Sequence, residues 1–435
     1  MKRLLTNTYT SVLTAICFII FLLLSTNSLY NKETGSGAKY YADRIEGSSS
    51  ESGPIREYYE NVKLFQNNVE INCKYAKLFI NKNKSSLKGN VILYQDDLTL
   101  ITPAADYDGN AKVSETFDSV EIKNLTTYLI ADKGYYYSEK NIADFHGNIK
   151  IENDSSIVYS DSLKYNKKSE DSFAYGNVKI QGKYSNSILY ADTVNNYPSK
   201  NYSYSTGKPL LIQIDTLEEN GEVLFDTMQV SSRVMEAYRE KGNERYLFNG
   251  IVEIYKNDVK AKAENAIYYK DKDYIELINS PVIWFDSTQI FGDTIRIYFK
   301  NKELELIHSI GNSFSSSKND TTFTNRINQL LGDEIKVNFK DRKINTIETF
   351  GNSKSLYFMF NEDGGDGIAR NASDDIVIQF ENEKPEDIIW LGNNQGEYFP
   401  EDILINEIKS YYLPKFRWDD SKPQKIKKDI NNKRQ

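Results

Sequence analysis

The chain has 435 residues, 39% of them hydrophobic and 27% charged, with a formal net charge of -8. That length allows two or three ordinary domains or one elongated repeat array, with enough apolar material for a large core. The acidic balance excludes a nucleic-acid binder that depends on a basic face to neutralise phosphates.

Tyrosine is abundant (32) and proline sparse (9), and short runs of Val, Ile, Thr and Phe recur, so the chain is expected to be all-β. Residues 1–30 differ in kind. Lys2 and Arg3 precede an apolar run, Ser11 to Leu24, followed by Ser25-Thr26-Asn27-Ser28. The run is short for a membrane span and has the layout of an export signal, with a retained N-terminal anchor as the other reading. Either way the remainder leaves the cytoplasm. Cys17 lies in that run, which leaves Cys73 alone afterwards and no intramolecular disulfide.

Residues 38–200 are expected to form a first repeat domain. Positions 60, 89, 118, 147 and 176, each 29 residues after the last, open Glu60-Asn61-Val62-Lys63-Leu64, Gly89-Asn90-Val91-Ile92-Leu93, Asp118-Ser119-Val120-Glu121-Ile122, Gly147-Asn148-Ile149-Lys150-Ile151 and Gly176-Asn177-Val178-Lys179-Ile180. A fixed period of this length means stacked units that bury their apolar faces against one another. Apolar third and fifth positions around a mostly polar fourth give a strand with one face inward, and the opening pair is read as the turn. A second apolar phrase follows in each unit, as in "SIVYSDSLKY" (156–165). Two strands and two turns per unit make a broad antiparallel sheet that curls over on itself, since a flat one would leave an apolar face in water.

The period breaks at "NNYPSKNYSYSTGKP" (195–209), read as a long loop or seam. Residues 201–400 form a second repeat domain: Gly221, Gly250 and Ser280 open comparable phrases, then the units stretch around Gly311-Asn312, Gly351-Asn352 and Gly392-Asn393. The hydrophilic segments 313–325 and 361–375 are read as rim loops. Residues 401–435 form a basic tail, carrying from Lys415 onward eight Lys or Arg against three Asp, and its composition predicts disorder.

Candidate chemistry is thin. There are 2 histidines, His146 and His308, each near a unit boundary, and neither opens a zinc-binding phrase. The G-x-S-x-G and G-x-x-x-x-G-K-[ST] patterns are absent. The recurring Asp106, Asp132, Asp161 and Asp192 are assigned structural roles because they recur with the unit. No catalytic residue, metal or cofactor is assigned, and the chain is read as a non-enzyme.

The informative feature is the apolar stripe: Val62, Leu64, Val91, Leu93, Val120, Ile122, Ile149, Ile151, Val178 and Ile180, then Val223, Phe225, Val252, Ile254, Val282 and Trp284. Alternation alone does not choose between a closed core and a groove that shelters the apolar part of an amphipathic ligand.

The phrases "LKGNVIL" (87–93), "AYGNVKIQG" (174–182), "NSPVIWFDSTQIFGDTIRIYF" (279–299) and "LGDEIKVNFKDRKINTIETFGNSKSLYF" (331–358), behind an export signal, resemble the OstA/LptA-like family of periplasmic lipopolysaccharide transport proteins. The length and the ending "GEYFP … YLPKFRW" resemble its large Bacteroidota-type members. The resemblance implies a V-shaped or jellyroll-like open solenoid whose inner face, the stripe from Val91 to Trp284, shields lipid A acyl chains. It also implies, as partners joined by edge-strand addition, the periplasmic component of the inner-membrane transporter and the outer-membrane translocon. End-to-end self-association follows from the same edges. The alternative is an adhesin-like β-repeat protein with a closed core and no lipid ligand.

Overall fold

In the computed structural model the described residues are 39–428, apart from 52, 67–68, 96, 138, 220–221, 301–302, 319–324, 362–363, 382–383 and 405–406. The apolar run within residues 1–30 lies outside them. Among the described residues, no helix is long and apolar enough to cross a membrane. The chain divides into two units between Leu211 and Ile212. Both are all-β and antiparallel, with a few single turns of 3-10 helix.

In the first unit the strands Ile142–Asn153, Ser156–Asn166, Ser172–Gly182 and Ser187–Tyr197 run side by side in sequence order. Each is bent near its middle. His146 pairs with Ser162 and Ile149 with Ser160, so Gly147 and Asn148 together oppose Asp161 alone. Two residues against one is a β-bulge, and both sit at positive φ, 77° and 43°. The Gly-Asn pair is therefore a mid-strand corner, and the turn reading is corrected. The hairpin reversals lie elsewhere, at tips such as Asn83, Asn141 and Asn186, where Asn tolerates the left-handed region.

Repetition of the corner on every long strand folds the sheet into two walls. One carries Val91, Ile149, Ile151 and Val178, the other Ala143, Phe145, Leu163 and Tyr165, and their facing side chains form one buried cluster. Full burial of a residue such as Ile149 (1% exposed) contributes roughly 1.5–3 kcal/mol. Among the described residues each strand pairing joins neighbours within one wall, and no pairing links the two walls across their free rims.

The stretch 195–209 is no long loop. Tyr197 ends a strand, Pro198–Lys200 makes a 3-10 turn, and Tyr202–Thr206 pairs back on Thr193–Tyr197. The rings of Tyr197, Tyr202 and Tyr204 pack at 6.0–6.3 Å, so tyrosine packing outweighs the Ser, Asn and Gly content.

The second unit repeats the design with longer strands, such as Lys343–Asn361 and Gly364–Glu381. The described parts of 313–325 and 361–375 fall largely inside strands, which corrects their reading as loops. Ser313 and Ser316 are fully buried (0%). Small hydroxyl side chains here fill the sheet instead of breaking it.

The C-terminal tail is also corrected. Leu404 and Leu413 are buried in a cluster with Trp284, Phe291, Phe314 and Phe358. Residues 416–428 then lie extended against the same unit, held by bonds to strand side chains that composition does not reveal.

Candidate functional site

The site is the space between the walls. In the first unit Val91, Leu93, Val120, Ile122, Ile149, Ile151 and Val178 all face inward and none is more than 9% exposed, while Ile180 is half-buried against the same cluster. Their neighbours Lys150 and Lys179 take the opposite face, as the period of two requires. The walls are packed closely. The cavity bounded by Ile71, Leu87, Val91, Leu93, Leu100 and Tyr107 measures about 30 Å³, room for water but not for an acyl chain. Entry of an acyl chain there requires the walls to part, and since among the described residues no strand pairing crosses the rims, parting them breaks side-chain contacts but no described ladder of backbone bonds.

The corners hold the walls at their shared edge. Asn148 donates to the Asp132 carboxylate at 2.9 Å, Asn177 to Asp161 at 2.7 Å, Asn312 to Asp293 at 2.9 Å and Asn352 to Asp333 at 3.2 Å. The recurring Asp residues 132 and 161 thus have the structural role assigned to them.

In the second unit Val252 (0%) and Ile254 (3%) face inward. The side chains of Val223 and Phe225 lie outside the described residues. Val282 and Trp284 are corrected. The corner pair there is Asn279-Ser280, both at positive φ, one residue earlier than the phrase beginning at Ser280 suggests. The alternation therefore shifts by one. Ile283 pairs with Ala261 and Phe285 with Val259 on the inner face, and the Phe285 ring meets Phe339 of the facing wall at 5.8 Å. Val282 pairs with Lys262 and Trp284 with Lys260 on the outer face. Their burial, 5% and 3%, comes from the C-terminal segment.

Residues 40–185 match the model of the OstA-like protein family, and residues 130–303 match that of the LptA/LptD N-terminal domain LPS transport proteins. Residues 40–303 belong to the OstA/LptA-like family. Among solved structures, LptH from Pseudomonas aeruginosa, the LptA homologous periplasmic component of its lipopolysaccharide transport device, is similar. It is 13% identical over 25% of this chain and 82% of its own, with a TM-score of 0.23. No curated protein matches.

Among the described corners that open on glycine, two lack the Asp partner. Lys74 stands beside Gly89, and Gly250 is followed by Ile251 with Arg233 in the Asp place. Among the described residues, no group of three or more His, Cys, Asp or Glu is arranged to hold a metal. His146 lies 3.3 Å from Asp144 and His308 lies 2.8 Å from Glu334.

Sequence reasoning missed the outer face of the second unit. Gln229, Gln289 and Gln329 are buried (2–4% exposed) and each bonds to main-chain atoms of the tail. No local pattern marks them: the corresponding positions of the first unit, four residues before the corner partner, carry Tyr128, Ile157 and Ile188.

Proposed function

We propose that this chain works in the periplasm as a lipopolysaccharide-binding and transport protein, sheltering lipid A acyl chains between its two walls. The reading is carried by one observation: an apolar interior runs from Val62 to Val194 in the first unit, between walls whose rims, among the described residues, share no backbone pairing. An acyl chain entering there exchanges wall-to-wall apolar contacts for wall-to-lipid contacts. Each methylene removed from water contributes about 0.8 kcal/mol, so a continuous apolar interior offers a path with no large step along it. No bond is made or broken. The family descriptions support the assignment of the cargo.

Bridging follows from the edges. The strands Lys39–Tyr41 and Arg44–Ser50 are exposed throughout and pair on one side with Gly53–Gln66. Such edges accept a further strand, and the partners of this reading are the periplasmic component of an inner-membrane transporter, an outer-membrane translocon, or a second copy end to end. The test is photo-crosslinking to lipopolysaccharide from Ile151, Ile180 and Ile254, each compared with Lys150, Lys179 and Glu253 on the opposite face. Crosslinks confined to the first set are expected; their absence would sink the reading.

The close packing of the interior favours a second reading, a β-repeat structural or surface protein with a permanently dry core. Displacement of an apolar dye by lipid A separates the two. Dye uptake and competition belong to the first, and neither is expected of the second.

A further inference from the structure

The outer face of the second unit carries a row of side chains laid straight across its strands. Gln229 pairs with Tyr255, Tyr255 with Lys260, Lys260 with Trp284, Trp284 with Gln289, Gln289 with Ser316 and Ser316 with Gln329. We propose that this row is a binding seat for an extended peptide, and that its occupant is the chain's own C-terminal segment, residues 412–428, held as a separable strap.

The chemistry of the seat is that of peptide recognition, in which main-chain bonds hold the segment and pockets read its side chains. Gln289 accepts from the Asp419 amide at 2.8 Å and donates to the Asp419 carbonyl at 2.9 Å, and Trp284 Nε1 donates to the same carbonyl at 3.0 Å. Gln229 repeats the pair on Ile426, at 2.8 and 2.9 Å. Gln329 accepts from the Leu413 amide at 2.9 Å, Ser316 donates to the Arg417 carbonyl at 2.8 Å, and Lys262 donates to the Ser421 carbonyl at 3.0 Å. A side-chain amide offers one donor and one acceptor, so a buried glutamine can serve a passing backbone as an adjacent strand would. Side-chain reading comes from Leu413, 2% exposed in the aromatic cluster, and from Trp418, over which Lys318 Nζ sits at 4.0 Å.

The dimensions agree. From Gln289 to Gln229 the row crosses four strand spacings, about 19 Å, and the seven steps from Asp419 to Ile426 span up to about 24 Å of extended chain. Pro414 and Pro423 lack amide hydrogens, so the segment is ill-suited to join the sheet as a strand and suited to side-chain capture. None of residues 412–428 lies in a strand, and the strands beneath pair with one another without them. Release of the strap therefore breaks no strand pair. The corresponding row of the first unit runs from Glu70 through Lys123 and Glu152 to Gln181 and holds one side-chain amide where this row holds three.

The proposal concerns the outer face and is independent of what lies between the walls. Its test uses the folded full-length chain with a specific protease sequence inserted after Ser410. After cutting, the strap is expected to stay bound on gel filtration and to be displaced by excess labelled peptide of residues 411–428, whereas a scrambled peptide displaces nothing. In the Gln289→Ala chain the cut strap is expected to dissociate at least about 10-fold more readily, as loss of a two-bond contact implies. A wild-type strap that leaves on cutting, one that the peptide cannot displace, or one indifferent to Gln289→Ala overturns the proposal. Should the insertion impair folding, hydrogen exchange on the uninserted chain decides instead. Slow exchange at Asp419 and Ile426, with Asp419 alone accelerated by Gln289→Ala, supports it, and fast exchange at both overturns it.

Discussion

Asn148 donates its side-chain amide to the carboxylate of Asp132 at 2.9 Å, from the corner of one strand to the strand before it. The backbone completes the contact: the Asp132 amide donates to the Gly147 carbonyl at 3.0 Å, and a Cβ added to Gly147 would lie 2.1 Å from Asp132 Oδ2. The same three groups recur at Gly311, Asn312 and Asp293, and at Gly392, Asn393 and Asp374. Each corner is thereby tied to the next, and the angle between the walls is set by a row of small contacts instead of by the core alone.

Gly147→Ala is expected to destabilise the chain by about 2–4 kcal/mol, because strain at φ 77° adds to a clash with Asp132. Gly242→Ala separates the two causes. Gly242 has φ 81° but nothing within 4 Å of an added Cβ, so only about 1 kcal/mol is expected there. Urea midpoints of the two variants against wild type give the difference; equal losses would mean that Asp132 does not constrain the corner.

Ile251 occupies the asparagine place of a corner, at φ 53° and 55% exposed. A β-branched residue is strained in the left-handed region, and this one gains little by burial. Ile251→Asn is expected to stabilise the second unit by about 1 kcal/mol, read as a higher urea midpoint. A midpoint at or below wild type would show that contacts of the Ile251 side chain outweigh the strain.

The sequence made the interior of the first unit legible because Ile149 and Ile151 repeat at one period, and a period of two assigns faces without knowledge of the fold. The same rule misplaced Val282 and Trp284. Asn279-Ser280 serves as the corner in place of Gly-Asn, and a shift of one residue reverses every side chain after it. Ser313 and Ser316 read as loop for a related reason: only their burial between strands distinguishes them from turn serines. The strap was invisible because its partners, Gln229 and Gln289, lie 197 and 130 residues away and act through side-chain amides that no local pattern marks.

Glu152 is held down to about 2 by the ammonium groups of Lys150 and Lys183, at 2.8 and 2.9 Å. A depressed carboxylate contributes stability that is present above its unfolded-state value, near 4.5, and is lost as pH falls toward its folded value. The group is about a third exposed, so screening reduces the contribution to about 1 kcal/mol at pH 7. Glu152→Gln is expected to be less stable than wild type by that amount at pH 7, with the gap intact at pH 6 and mostly closed only near pH 2. A gap that is as large at pH 2 as at pH 7 would assign the loss to packing instead of charge.

Ile283 and Trp284 are adjacent, both buried, and on opposite faces, which makes them a test of the corrected register. Ile283 is 0% exposed on the inner face, so Ile283→Ala should lower global stability by about 2–4 kcal/mol and leave the strap seated. Trp284→Phe keeps most of the buried ring but removes the N–H that reaches the Asp419 carbonyl. It should cost about 1 kcal/mol or less globally while raising protease cutting within residues 412–428. A photo-crosslinker reports the faces independently: at position 283 it should reach Phe339 or a lipid held between the walls, and at position 284 the C-terminal segment. Capture of the segment from position 283 would return Trp284 to the inner face and restore the uncorrected stripe.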